Sequence, residues 1–191
     1  MRCPKNYNES VPLESLAEGH CKSIENARRL IDDGEILIKC GRYLAAINSI
    51  MLAIEELAKA HLIDQAIAFN DNDKDKWKWF WNSFHRHKEK LRLLEYEFHW
   101  KSYQDREEFH RRIKSLMIRR EESIYVQFDY RKNKFLTPKE ISSFGTDIKS
   151  RAMVEFKYAL GLFKMFIIAG MPTPETALKA YKLYRKSEKI D

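Results

Sequence analysis

Two acids and a base lie in the middle of a segment whose pattern is otherwise that of a core helix. The segment, LAAINSIMLAIEELAKAHLIDQA at residues 44–66, repeats apolar residues every three or four positions and contains Glu55, Glu56 and Lys59. Lys59 follows Glu56 by three positions and Glu55 by four, so the three side chains are neighbours on one helix. An exposed ion pair of this kind contributes only about 0.3 kcal/mol, so the trio alone would be an ordinary surface feature.

Charged residues interrupt two further predicted helices in the same way. His87 and Lys88 fall where the aromatic stripe of a helix that begins near residue 76 should continue, and Arg120 interrupts the stripe of the next helix. Burying a charge is costly unless it is paired, so we expect these groups to meet those of the first segment inside a bundle. A polar cluster between helices is a common kind of site. A network that only holds the helices together is the alternative.

We expect the predicted cluster to transfer protons and to bind phosphate. Because histidine titrates near neutral pH, His87 is the candidate general acid or base, and Glu56 is the candidate residue that orients it. Cations that bind phosphate and stabilise a transition state are expected at Lys59, Lys90 and Arg120. The candidate catalytic residues are therefore Glu56, Lys59, His87, Lys90 and Arg120, with Glu55 as an additional member.

The six histidines are not spaced as metal ligands. His85 and His87 are two positions apart and would point to opposite sides of a continuous helix, and the other four are scattered along the chain. We therefore expect neither a metal ion nor another cofactor. The patterns of P-loops, nucleophile elbows, zincins and Rossmann folds do not occur, which argues against those enzyme classes.

Basic residues are concentrated in one part of the chain. The 191 residues are 44% apolar and 33% charged, with a net charge of +7, which suits one globular domain with a sizeable core. Residues 84–139 hold fifteen Lys or Arg and nine Asp or Glu, and so contribute most of that surplus. A solvated helix surface of mixed charge is one reading of this bias. The other is a nucleic-acid-facing surface, for which Arg86, Lys88, Arg112 and Arg119 are the candidate RNA-binding residues.

The periodicity predicts an all-α bundle of four to five long helices. A short extended segment is expected near residues 125–136, where the helical period breaks. The sequence TPKE at 137–140 has the pattern of a capping box that opens the last core helix. The predicted helices cover residues 13–40, 42–68, 76–103, 105–124 and a stretch from this capping box to about residue 170. Gly41 is expected to end the first of them.

The expected organisation is one helical domain with two short flanking segments. We assign residues 1–12 to an N-terminal tail, residues 13–170 to the helical domain and residues 171–191 to a short C-terminal helix packed on or flanking it. Three cysteines without a CxxC pair favour a reducing cytoplasm. The most apolar run, ALGLFKMFIIAGM, is too short to span a bilayer and contains Lys164, so no membrane segment is expected.

Two blocks of the sequence resemble a known family. The segment ENARRLIDDGEILIKCGRYLAAINSIMLAIEELAKAHLI, together with the later block FHRHKEKL, is similar to the AbiV-type abortive infection proteins of the HEPN superfamily. The resemblance covers roughly residues 20–140, and SIYVQF…TP resembles the family more weakly. The matching features are Asn26-Ala27, Leu30, the EELAKA block, and His87, Lys88 and Lys90.

The resemblance implies a HEPN-like bundle with a bacterial anti-phage role, exerted on RNA or on the translation machinery. HEPN relatives are often metal-independent ribonucleases, in which an Arg and a His of an R-x4-6-H motif act on the RNA 2′-hydroxyl and the scissile phosphate. The corresponding pair here is Arg92 and His99, which would be additional catalytic residues.

The partners implied by the resemblance are RNA or the ribosome, a second copy of the chain, and a phage-encoded activator protein. No membrane partner is expected. The alternative function is a non-catalytic binding protein that docks on RNA, on the ribosome or on a phage protein. A third reading is the antitoxin-like or nucleotide-transferase partner role found around HEPN bundles, which would require a second chain.

Overall fold

The computed structural model describes residues 7–69, 71–99, 107, 111, 114–115, 118, 127–129, 134–136, 147–167 and 173–187, with side chains at these positions except 95–99, 127–129 and 134–136. The elements in chain order are α1 (Leu13–Lys39), α2 (Tyr43–Ala66), α3 (Lys74–His85), α4 (His87–His99), β1 (Gln127–Asp129), β2 (Lys134–Leu136), α5 (Ile148–Ile167) and α6 (Pro174–Ser187). The predicted all-α class is confirmed, and the predicted extended segment contains the antiparallel pair β1–β2.

Helices α1 and α2 form a hairpin that is closed by a glycine turn. Gly41 has a φ of 71°, a conformation that glycine adopts without steric cost. The N–H of Arg42 donates to the carbonyl of Leu37 at 2.8 Å, and that of Gly41 donates to Ile38 at 3.0 Å. These two bonds make a Schellman motif, which satisfies the last carbonyls of α1. The predicted stop of the first helix at Gly41 is confirmed.

The two helices of the hairpin approach each other closely at a second glycine. A Cβ atom at Gly34 would lie 2.8 Å from Cγ1 of Ile50, well inside van der Waals contact. Nearby, the hydroxyl of Ser49 donates to the carbonyl of Leu30 at 2.9 Å and ties α2 to α1. Glycine at position 34 therefore sets the separation of α1 and α2, on which the other helices pack.

Two apolar clusters make up the described core. The first joins α2 to α1, α4 and α5, and the second joins the N-terminal half of α1 to the end of α2, to α3 and to α6. Ile54, Leu91 and Leu162 belong to the first cluster, whereas Trp77 and Phe80 belong to the second. Helix α3 thus buries its apolar face in the second cluster, and α4 buries Leu91 and Leu94 in the first.

The prediction of one continuous helix over residues 76–103 is wrong. Helix α3 ends at His85, Arg86 has extended backbone (φ −102°, ψ 117°), and α4 begins at His87. Trp77 of α3 lies in one apolar cluster and Leu94 of α4 in the other, and the chain turns between them. The interruption of the aromatic stripe at His87 was the sequence signal of this turn.

Helix α6 is attached to the ends of α1 and α2 by polar contacts. The hydroxyl of Tyr181 donates to Oδ1 of Asp64 at 2.7 Å, and Nδ1 of His20 lies 2.9 Å from the same oxygen. Burial of the ring, and the charge of Asp64 beside it, raise the pKa of Tyr181 well above its ordinary value. The Nε of Arg185 donates to the carbonyl of Ile67 at 2.8 Å, where α2 ends. These contacts hold the C-terminal helix against the bundle.

Helix α5 begins with a side-chain cap that was not predicted. The carboxylate of Asp147 accepts hydrogen bonds from the backbone N–H groups of Lys149 and Ser150 at 3.0 and 3.3 Å. The predicted capping box at 137–140 lies outside the described residues. The residues described within the predicted helix 105–124 all have helical backbone. None of the described helices is long and apolar enough to cross a membrane.

The close approach at Gly34 predicts that alanine will change the free energy of unfolding in opposite directions at Gly34 and at Gly161. Gly34→Ala should lower the free energy of unfolding by about 1–3 kcal/mol, because the added methyl group meets Ile50 in a packed interface. Gly161→Ala, in α5, should raise it by about 0.5–1 kcal/mol, because no atom lies near an added Cβ and alanine is the better helix former. Denaturant unfolding measures both, and equal signs would contradict the packing described here.

Candidate functional site at the α3–α4 junction

A buried carboxylate of α2 holds the first histidine of α4. Glu55 is only 3% exposed, and its Oε2 lies 2.5 Å from Nδ1 of His87. The His87 side chain is 44% exposed, so the imidazole has one nitrogen on the interior carboxylate and its other edge near solvent. This arrangement fixes the orientation of the ring, with Nδ1 towards the carboxylate of Glu55 and Nε2 on the opposite edge.

The extended residue between the helices is what brings His87 to Glu55. Because Arg86 leaves the helical conformation, α4 starts on a new axis with His87 in its first turn. The backbone N–H of Lys90 bonds to the carbonyl of Arg86 at 3.2 Å, which begins the hydrogen-bond pattern of α4. His87 therefore lies at the start of a helix packed on α2, and not in the middle of a longer one.

Glu56 was predicted to orient His87, and the structure assigns that contact to Glu55 instead. Glu56 Oε1 lies 2.5 Å from Nζ of Lys59, on the partly exposed edge of α2. On a helix, position 55 shares its face with the buried residues Met51 and Ala58, whereas position 56 is turned about 100° towards the edge. The sequence correctly indicated an interior carboxylate but assigned it to the wrong member of the pair.

Two more charged residues are buried in α4 and α5, the helices that pack on α2. Lys90 of α4 is 3% exposed and Glu155 of α5 is 1% exposed. Their neighbours along the chain, Leu91 and Ala152, belong to the same apolar cluster as Ile54. Charges are retained in such a place when other charges and hydrogen bonds compensate them. We name Glu55, His87, Lys90 and Glu155 the charged cluster.

Burial changes the role expected for Lys90. A side chain this inaccessible cannot contact a polyanion, so its charge acts through the interior. Glu155 was not among the predicted site residues. The signal that could have revealed it is a gap in the apolar stripe of α5 between Ala152 and Ala159, both of which are fully buried.

A second histidine, His85, lies on the solvent side of the same junction. Its ring stacks on Trp81 with centroids 5.9 Å apart and an interplanar angle of 18°, and it meets Phe84 edge-on at 5.8 Å. Partial burial of the ring, and then the positive charges of Lys90 and Lys59, lower the pKa of His85. The argument that His85 and His87 point to opposite sides of one helix no longer holds, because the helix ends between them.

Of the remaining predicted site residues, those whose side chains the structure describes are exposed. Arg92 is exposed on α4, and its Nε donates to Oε2 of Glu89 at 2.9 Å. His99 is the last residue of α4, and its side chain lies outside the described positions. Arg86 and Lys88 are exposed beside the junction. The other predicted residues, Arg112, Arg119 and Arg120, lie outside the described residues.

Within the part of the chain that the structure describes, no three His, Cys, Asp or Glu side chains are grouped as a metal site. The described junction instead combines two imidazoles, a buried carboxylate and several cations, which are the groups that general acid–base chemistry on a phosphate ester requires.

The comparison with protein families is consistent with this architecture. The model of the HEPN_AbiV family, described as AbiV, matches residues 15–151. No curated protein and no solved structure is significantly similar to the chain. The match begins in α1, ends in the first turn of α5 and includes Glu55, His85 and His87. It associates the protein with abortive infection, a defence against phage. Because the match spans well over half of the sequence, the chain belongs to the HEPN AbiV family.

Proposed function

We propose that the protein is an abortive-infection effector that cleaves RNA without a metal ion, at the α3–α4 junction. The observation that carries this proposal is the 2.5 Å contact between His87 and the buried Glu55, with the imidazole accessible from solvent. A histidine oriented by a carboxylate in this way is the usual form of a general acid or base. Membership of the AbiV family supports the role in defence.

RNA is the substrate class that fits these groups. Its 2′-hydroxyl is an internal nucleophile, so strand cleavage needs proton transfer and stabilisation of charge on the phosphate but no water-activating metal. Lys59 supplies a partly exposed cation whose charge acts on His85, and Arg86 and Lys88 supply exposed cations that can bind the RNA backbone. DNA has no hydroxyl at this position and would not be cleaved by such a site.

The second candidate function is a binding protein without catalysis, which docks on RNA, on the ribosome or on a phage protein. The burial of Lys90 and Glu155 favours it, because charges this inaccessible act first on the packing of α4 and α5. In that case the charged cluster holds the helices together, and the basic residues around Arg86 provide the docking surface. The two functions differ in what the exposed imidazole of His87 contributes.

The predicted partners are part of the same proposal. A homodimer is supported by Val154 and Met165, which are exposed apolar residues on one face of α5. RNA or the ribosome is the expected target, and a phage-encoded protein is the expected activator. A cytoplasmic location is expected from the cysteine content.

The first prediction from this proposed function concerns cleavage by purified protein in the presence of EDTA. His87→Gln should lower the rate of RNA cleavage by about 10²- to 10⁴-fold, because glutamine cannot transfer a proton. Its amide can still donate to Glu55, so the fold should persist. The measurement is single-turnover cleavage of total bacterial RNA, with and without phage lysate as a source of activator, beside thermal unfolding of each variant.

Two control variants test whether cleavage takes place at the α3–α4 junction or at the Arg92–His99 motif. His61→Gln removes an imidazole of α2 that contacts Gln65, on a different side of the helix from Glu55, and should cleave like the unaltered protein. Arg92→Ala combined with His99→Ala removes the superfamily motif. Loss of cleavage in that double variant alone would move the site to the motif. Absence of cleavage by any form would favour the binding protein.

The second prediction compares the cleavage rates of variants at Glu55 and at its neighbour Glu56. Glu55→Gln should lower the cleavage rate by at least about 10²-fold, because an amide can present its NH₂ to His87 and select the wrong tautomer. It should also lower the free energy of unfolding by about 1–3 kcal/mol, since a charge-assisted buried hydrogen bond is weakened. The matched change Glu56→Gln should reduce the rate by less than about tenfold, because it only releases Lys59. Equal rates for the two variants would contradict the assignment of Glu55.

The third prediction concerns RNA binding by the exposed cations of the junction. Arg86→Ala combined with Lys88→Ala should weaken binding of single-stranded RNA and make the slope of log affinity against log salt shallower by roughly 1.4. Lys179→Ala combined with Lys186→Ala removes the same charge from exposed positions of α6 and should leave the slope unchanged. Fluorescence anisotropy over a salt series measures both. An equal loss of slope in the two variants would mean that only net charge matters.

A further inference from the structure

We infer that His85 is the general base and His87 the general acid of a two-histidine cleavage of RNA, an inference that rests on the proposed function. The two rings belong to different helices that meet at the extended residue Arg86, and their surroundings differ in charge. His87 contacts the carboxylate of Glu55, whereas His85 lies among aromatic rings and lysines. The division of roles follows from that difference.

The break in the helix at Arg86 allows the rings of His85 and His87 to contact the same phosphate. In a continuous helix, side chains two positions apart point about 160° away from each other. Here a single extended residue separates the end of α3 from the start of α4, and the Cα atoms of His85 and His87 can be at most about 7 Å apart. Both side chains reach solvent at this turn. One phosphodiester can therefore lie between them.

The contact with Glu55 suits His87 to the role of the acid. The carboxylate accepts the Nδ1 hydrogen bond both when the ring is an imidazolium and when it is neutral. Proton transfer is therefore confined to Nε2, which is the nitrogen turned away from the interior. A ring held in this way can deliver a proton to a leaving oxygen without changing its orientation.

The surroundings of His85 favour the neutral ring that a base requires. Burial against Trp81 and Phe84 removes solvation from the imidazolium, and Lys90 and Lys59 repel it, so its pKa is lowered. The groups that face it are these two cations, from α4 and α2 respectively, and the rings of its own helix. Stacking on Trp81 also fixes the plane of the ring.

The reaction balances without any further reactant. Neutral His85 takes the proton of the 2′-hydroxyl, and the 2′-oxygen forms a bond to the adjacent phosphorus. The bond from phosphorus to the 5′-oxygen breaks, and that oxygen receives the Nε2 proton of the His87 imidazolium. The products are a 2′,3′-cyclic phosphate and a 5′-hydroxyl end. His85 finishes protonated and His87 neutral, and exchange with water restores both.

Lys59 is placed to stabilise the charge that develops in this step. Its Nζ lies 5.9 Å from the centre of the Phe84 ring, close to the ring of His85, and Glu56 holds it on the edge of α2. A cation there can contact a non-bridging phosphate oxygen. The same charge lowers the pKa of His85, so Lys59 acts on both the phosphate and the base.

The decisive experiment compares two substrates that differ in the leaving atom. An RNA oligonucleotide with sulfur in place of the scissile 5′-oxygen expels a thiolate, which needs no proton from an acid. His85→Gln and His87→Gln should each slow cleavage of the ordinary RNA by about 10²- to 10⁴-fold. With the thio substrate, His87→Gln should recover most of the rate of the unaltered protein, and His85→Gln should stay slow.

A pH profile provides a second readout. The rate should rise with pH as His85 loses its proton, and Lys59→Met should move this rise to higher pH, because removing a nearby positive charge raises the pKa of the base. Lys76→Met is the matched control. Its Nζ also lies 5.9 Å from the centre of an aromatic ring, that of Phe69, but it is roughly 14 Å from His85 along α3. The rise should not move in this variant.

Each other outcome overturns a defined part of the assignment. Recovery of His85→Gln with the thio substrate, in place of His87→Gln, would reverse the two roles. Unaltered cleavage by His85→Gln would exclude His85 while leaving the proposed function intact. No cleavage of either substrate by the unaltered protein, with phage lysate present, would overturn the proposed function and this inference together.

Discussion

A carboxylate inside a helical bundle is the constraint on which the rest of this structure depends. Moving an ion such as that of Glu55 out of water costs several kcal/mol even after the protein relaxes, so the surrounding chain has to supply compensating groups. His87 supplies a hydrogen bond, and Lys90 brings a positive charge into the same interior. For His87 to reach Glu55, the chain must leave the helix at Arg86. The compensation of one buried charge thus coincides with the turn between α3 and α4.

The turn at Arg86 also allows α3 and α4 to pack in different apolar clusters. Helix α3 buries Trp77 against the ends of α1 and α2, whereas α4 buries Leu91 against the middle of α2. The junction lies at the boundary of these two apolar clusters, and Arg86 is exposed there. Polar side chains at such a boundary have one end in the low-dielectric interior and the other in solvent. This position allows a charge inside the bundle to influence a group that a substrate can reach.

Much of the fold follows from local patterns, and the errors arise where tertiary packing decides. The apolar period and Gly41 correctly predicted α1 and its end, because both signals are local. The break at Arg86 was missed because an aromatic stripe and a following leucine stripe can be joined into one period. Adjacent residues of a helix point about 100° apart, so choosing Glu55 over Glu56 requires knowing which side of α2 faces the interior. That orientation depends on how α2 packs. The burial of Glu155 depends on α5 meeting α2 far along the chain.

The family match ends before some of the residues that hold α2 and its neighbours in place. Residues 15–151 include both histidines of the junction and Glu55, whereas Glu155 and the whole of α6 follow that range. Tyr181 donates to Asp64, nine positions beyond Glu55 on α2, and Arg185 donates to the carbonyl of Ile67, the residue that follows α2. Helix α2 is therefore held at its end by α6 and along its middle by α1, α4 and α5. A carboxylate on a helix restrained at so many points can hold an imidazole in a fixed orientation, which is how a helical bundle can position groups for chemistry.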